Sequence, residues 1–173
     1  MFLIFEGPDC GGKSTLIEAI AQTDSWAKVH HGPYLDLDAD HLMGKYIQAM
    51  NIARNGANLL MDRSWLSEPI YGKVFRDGKN RLNEFYTEIL ESTAASLDAR
   101  IVLCIPPWQT VKYRWLERKG VDSDAEYLDR VEQLKKVYDA YDDLFFTLDT
   151  CLPIIRHDYT SRSTLNLKEI IAC

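Results

Sequence analysis

The stretch MFLIFEGPDCGGKSTL, Met1 to Leu16, decides the fold. Phe2 to Glu6 is a short, mostly apolar run, as a buried strand requires. Gly7-Pro-Asp-Cys-Gly-Gly12-Lys13-Ser14 then fits G-x-x-x-x-G-K-[ST], and Thr15 to Gln22 has helical character. Gly7 and Gly12 permit backbone angles that a side chain would forbid. The loop Gly7, Cys10, Gly11, Gly12 can therefore turn its N–H groups inward around phosphate oxygens, with Lys13, Ser14 and Thr15 at the positive end of the following helix. Lys13 supplies a mobile charge for the phosphates, and the Ser14 hydroxyl suits a bound Mg²⁺. The alternative is a glycine-rich turn that matches by chance. The strand before it and the helix after it argue for phosphate.

Working outward, the chain alternates strand and helix. Strands are expected at Lys28 to His31, Asn58 to Asp62, Arg100 to Ile105 and Pro153 to His157. Helices are expected from about Asp38 to Arg54, Leu82 to Leu97, Gln109 to Lys119, Ser123 to Leu144 and Asn166 to Ala172. Residues 65–79 read as an irregular, aromatic-rich segment. Near-continuous apolar strands suit a sheet covered on both faces. The pattern implies an α/β fold of the P-loop NTPase type, three layers α/β/α around a five-stranded parallel sheet, with residues 1–173 as one domain. Ligands of such folds gather at the carboxyl ends of strands. The glycine-rich loop, His31-Gly-Pro33, Asp62-Arg63 and Asp158-Tyr159 all fall there.

Composition narrows the partners. The 173 residues are 46% hydrophobic and 27% charged, ordinary for a soluble protein. A net charge of −6 disfavours an extended nucleic-acid surface. No apolar run approaches the ~20 residues of a membrane span, and Met1 opens directly into the first strand. The four cysteines lack zinc spacing, and Cys10 inside the loop suggests a reducing compartment. A cytoplasmic enzyme is the expectation.

A glycine-rich phosphate loop alone does not choose between GTPases, motors and kinases. No N-K-x-D guanine-reading motif is present, and the chain is short for a motor. The sequence resembles the thymidylate kinase-like group of nucleoside and nucleotide kinases, particularly its short, divergent phage-type members. Phe5 to Thr15 is similar to F-E-G-x-D-x-x-G-K-[ST]-T, and Asp62 to Tyr71 to the D-R-[YS] segment. Ile105-Pro-Pro107 resembles the end of strand four before the lid helix, and Asp158-Tyr-Thr160 falls where that family holds adenine. The resemblance implies ATP and Mg²⁺ as cofactors and a small nucleotide or nucleoside as partner. It leaves a homodimer open, because the chain is shortened between Ser14 and Asp62, where members build dimer-forming helices.

Phosphoryl transfer needs positioning, a metal and positive charge. Lys13 is the first catalytic candidate. By resemblance, Asp9 contacts an acceptor sugar hydroxyl; otherwise it caps the loop backbone. Asp62 suits a metal-bound water or the acceptor oxygen, and Arg63 an acceptor phosphate; otherwise the two pair with each other. Arg114 and Arg118 lie four apart on one helix face, at the start of a candidate lid of about residues 112–126. They are read as catalytic charges because Cys10 stands where some members carry a basic loop residue; otherwise they are a solvated face. Arg130 is a further candidate. Glu68, Tyr71, Phe75 and Arg76 suit a nucleobase and sugar, or else pack the core. The reaction expected is phosphoryl transfer from ATP to a (deoxy)nucleoside monophosphate, thymidylate-like first. Transfer to a deoxynucleoside, or to a hydroxyl on a modified base in DNA, and a nucleotide-binding regulator are the alternatives.

Overall fold

The computed structural model describes residues 1–23, 26–30, 37–119, 131–147, 150–161 and 170. Five strands, β1 (Phe2–Glu6), β2 (Trp26–His30), β3 (Asn58–Asp62), β4 (Ala99–Cys104) and β5 (Ile154–His157), form one parallel sheet in the order β2-β3-β1-β4-β5. Among the described residues the helices are α1 (Lys13–Ala21), α2 (Ala39–Arg54), α3 (Ser67–Phe75), α4 (Glu84–Ala95), α5 (Trp108–Lys119) and α6 (Val131–Thr147). No helix among these residues is long and apolar enough to cross a membrane.

Alternation along β1 builds the three layers. Phe2 and Ile4 join Leu59, Met61, Ile101 and Leu103 on one face, under Leu42 of α2, Leu90 of α4 and Val137 of α6. Leu3 and Phe5 join Leu60, Val102 and Cys104 on the other, under Leu16, Ile17 and Ile20 of α1. Both faces are dry, which is why the central strands are apolar throughout.

β1 is flanked by β3 and β4, so the chain leaves β1 at a topological switch point. Register aligns the carboxyl ends: Phe5 lies beside Asp62, Glu6 beside Leu103, and Cys104 beside His157. Everything that follows β1, β3, β4 and β5 therefore emerges on one rim.

Three expectations need correction. Residues 67–75 are helical rather than irregular. Pro69 sits in the first turn of α3, where its missing N–H costs nothing. β2 begins at Trp26, two residues before Lys28, and β4 at Ala99. His31 to Pro33, residues 120–130 with the Ser123 cap, Arg130 and the second part of the candidate lid, 120–126, and all of 166–172 except Ile170 lie outside the described residues.

Candidate functional site

The glycines after β1 are there because the chain has no room for side chains. A Cβ on Gly7 would meet the Cys104 carbonyl oxygen at 2.2 Å, and one on Gly11 would meet it at 2.7 Å. Gly12 adopts φ +93° and faces the Tyr159 ring, 2.7 Å from where its Cβ would stand. Cys10 is left-handed too, at φ +61°, without being glycine. Gly12 also starts α1 with no side-chain cap and no acidic residue in the first turn. The helix thus keeps its positive end and its unpaired amides directed at the rim.

Lys13 is buried beneath this loop, with Nζ donating to the carbonyls of Gly7 and Pro8 at 2.8 Å each. Burial, and then the nearby Arg63 guanidinium, hold its pKa below the ordinary lysine value, against the pull of Asp9 and Asp62. Burial and the Asp9 carboxylate push the Cys10 thiol up, so the loop carries no thiolate to oppose an anion. Cys104, sealed beneath the sheet rim, is pushed up to about 12 by burial.

β3 delivers the second half of the site. The Arg63 N–H still donates to the Phe5 carbonyl at 2.9 Å, but the residue turns left-handed at φ +68°. That turn sends its guanidinium across the glycine-rich loop. Nη2 meets Asp9 Oδ1 at 2.6 Å, while Nη1 donates to the Gly7 carbonyl at 3.1 Å and to the Tyr141 hydroxyl at 2.7 Å. The Tyr71 ring lies 5.0 Å from the guanidinium carbon, and Phe75 stacks on Tyr71 at 5.8 Å. Burial resists the Arg63 charge, but Tyr141, Tyr71, Asp9 and Glu6 outweigh it and hold the pKa well above the ordinary value. Burial likewise raises the Asp9 carboxyl, but the charges of Arg63 and Lys13 win and leave its pKa below the ordinary value.

α5 closes the rim from the β4 side. Asp9 to Thr15, Asp62, Arg63, Arg114, Glu117 and Arg118 line one cleft of about 510 Å³. Four cations face it against three carboxylates, so the cleft is electropositive on a chain of net charge −6. The Arg114 guanidinium carbon lies 4.8 Å over the Tyr159 ring. Such a concavity, with free amides and a buried ammonium, is suited to a polyphosphate.

No protein-family model matches the sequence, and no curated protein matches it. Solved structures do match. The YorR protein of Bacillus subtilis, solved in complex with phosphorylated GDP, has a TM-score of 0.75 at 19% identity, over 99% of this chain and 92% of that one. Deoxyadenosine kinase from M. mycoides with bound dATP gives 0.66 at 16% identity, over 99% and 98%. The same kinase with dCMP and dCDP gives 0.60 at 18%, over 99% and 97%. This chain shares the fold of these proteins.

Within that fold, the cleft brings together Asp9, Cys10, Gly11, Gly12, Lys13, Ser14, Thr15, Asp62, Arg63, Arg114 and Arg118 from the sequence reading. Gly7 lies just beneath, as the backbone acceptor of Lys13 and Arg63. Tyr71 and Phe75 are not among the cleft's lining residues; Tyr71 lies under Arg63, and Phe75 stacks on Tyr71. Glu68 and Arg76 do not reach it. The Glu68 carboxylate is buried and receives Arg76 at 3.0 Å and Arg81 at 2.6 and 2.8 Å, which anchors the segment after α3. Sequence reasoning missed Glu117, the hydroxyl role of Tyr141 and the buried Glu6 carboxylate. Only Glu6 left a signal: a charged residue closing an otherwise apolar strand.

Proposed function

We propose that this chain is an ATP-dependent kinase whose acceptor is a (deoxy)nucleoside monophosphate, with a thymidylate-like pyrimidine first. The observation that carries the reading is the buried Lys13 beneath an open ring of amides, facing Arg63 and two arginines of α5 across one cleft. ATP phosphates fit the glycine-rich loop and the α1 N-terminus. The donor base fits beside Tyr159 and Arg114, and the acceptor beside Asp9, Asp62 and Arg63. The donor set also fits Mg²⁺: the exposed Ser14 hydroxyl and the Asp62 carboxylate are hard oxygens lining the same cleft, the latter acting through water. When bound there, the ion would neutralise phosphate charge. In the transfer, an acceptor oxygen forms a bond to the γ-phosphorus as the bond to the β–γ bridging oxygen breaks, and ADP leaves.

One observation favours a second reading. Asp9 already partly neutralises Arg63 at 2.6 Å, which suits a neutral deoxynucleoside hydroxyl better than a phosphate acceptor. ADP release from ATP with Mg²⁺, measured across nucleosides, monophosphates and a DNA oligonucleotide, separates the two. Turnover with one monophosphate supports the first reading, and turnover only with nucleosides or DNA replaces it. Nucleotide binding without acceptor-dependent ADP release would mark a regulator.

Arg63→Ala is expected to raise the monophosphate KM by ~10- to 100-fold, the worth of a charged hydrogen bond, and to leave the ATP KM nearly unchanged. Equal KM values in variant and wild type would remove Arg63 from the acceptor site. Lys13 predicts a pH dependence. Its depressed pKa means the ammonium is lost at a lower pH than in an ordinary lysine, and a bound polyphosphate favours its protonated form. ATP affinity is therefore expected to be full below the depressed pKa and to fall as pH rises through it. Calorimetric titration against pH checks this; an affinity that stays flat up to the range of free lysine contradicts it.

A further inference from the structure

Arg63 has a second face that the proposed transfer leaves unused. Its Nη2 edge meets Asp9 in the cleft, whereas Nη1 donates to the Gly7 carbonyl at 3.1 Å and, more closely, to the Tyr141 hydroxyl at 2.7 Å. Tyr141 is fully buried on α6, and its hydroxyl lies 2.8 Å from Ser67 Oγ and 3.0 Å from Glu6 Oε2. Glu6 is fully buried as well. Its Oε1 accepts from the Ser64 N–H and hydroxyl at 2.7 Å each, and its Oε2 from the Ser67 hydroxyl at 2.7 Å.

Proton counting gives this cluster a direction. A carboxylate only accepts, and a phenol has one proton. Glu6 draws the Tyr141 proton toward itself, directly or through Ser67. The phenol oxygen is then left to accept from Arg63. A buried polar cluster of this kind is no better for stability than well-packed apolar groups, so orientation is the reason to read into it. We propose that Glu6 and Tyr141 are positioning residues, which clamp Nη1 of Arg63 so that only its Nη2 edge is offered to the acceptor. Neither touches a reactant. The inference rests on the reading of Arg63 as an acceptor-side group. It also ties that group to α6, which packs on α3 below the rim.

The test is Tyr141→Phe in the full chain, with two readouts. The first needs no substrate. In ¹⁵N NMR the Arg63 side-chain signals, identified by their loss in Arg63→Lys, are expected as separate, slowly rotating Nη groups in wild type and as averaged ones in the variant. The second is ADP release with dTMP and with deoxyadenosine. The KM of whichever is the acceptor should rise about tenfold, close to the worth of one charged hydrogen bond, with the ATP KM within about twofold. Glu6→Gln should act in the same direction, because its amide donates to Tyr141 and turns the phenolic proton toward Arg63. Should Tyr141→Phe fail to fold, Ser67→Ala carries the NMR test with the phenol in place. Unchanged Arg63 signals, or acceptor and ATP KM rising together, would overturn the proposal. Absence of turnover with either acceptor in wild type would count against the function, while the NMR result would still decide the clamp.

Discussion

Lys13→Ala is expected to lower turnover by about a thousandfold or more while the protein still folds. The magnitude follows from removing a preorganised charge from the place where phosphate charge develops. The folding side of the argument is less obvious, because Lys13 is buried and holds two carbonyls. Losing it removes one donor from each of the Gly7 and Pro8 oxygens, which keep Arg63 Nη1 and the Gly11 N–H, at a net cost of ~0.5–1.5 kcal/mol per bond. The same substitution removes a cation whose lowered pKa shows that the fold disfavours its charge. The two effects oppose each other, so melting should fall by no more than ~8 °C, or ~2 kcal/mol for a chain of this size. Lys13→Met keeps most of the side-chain volume and should fold at least as well while remaining equally inactive. Single-turnover ADP formation and a thermal melt check both halves. A variant within tenfold of the wild-type rate would refute the phosphate-loop assignment.

The parts legible in the sequence are those whose physics is local. β1, the glycine-rich loop and α1 follow one another with no tertiary help, and each glycine sits where a side chain has no space. β3 and β4 were legible because strands dry on both faces must be apolar throughout. α3 was not. Pro69 and Gly72 argue against a helix in isolation, yet Pro69 lies in the first turn. A Cβ at Gly72 would stand 2.6 Å from the Lys79 carbonyl oxygen. The folded-back chain at 79–80, not helix propensity, explains that glycine. Glu68 was misplaced for the same reason. A charge beside aromatic residues reads as a ligand contact until the fold brings Arg76 and Arg81 onto it. Tyr141 shows a third kind of limit. It is buried in the core on α6, but periodicity cannot reveal that its hydroxyl meets Arg63, 78 positions away in sequence.

Arg118→Ala should lower kcat by about a thousandfold, whereas Arg114→Ala should mainly raise the ATP KM, by about tenfold. The two arginines share a face of α5 but have different neighbours. Arg114 lies over the Tyr159 ring beside Gly12, an arrangement suited to a donor base rather than to the transferring phosphoryl group. Arg118, one turn further on, lines the cleft beside the loop itself: at Asp9 it adds a small pull behind Arg63 and Lys13, and at Cys10 it only partly offsets the burial and the Asp9 charge that raise the thiol. The loop has the neutral Cys10 thiol at the position in question, so the positive charge that balances the transition state has to come from outside it. Arg118 is the α5 cation best placed to provide it, and a cis arginine in that role is worth ~10³-fold or more. Arg118→Lys keeps the charge but loses the planar fork, so it should recover only part of the rate. Single-turnover rates at saturating ATP separate the two arginines, because saturation hides a KM effect and leaves a kcat effect. Equal, small losses in both variants would return α5 to a solvated helix face, and the catalytic charge would then have to come from Lys13 and Arg63 alone.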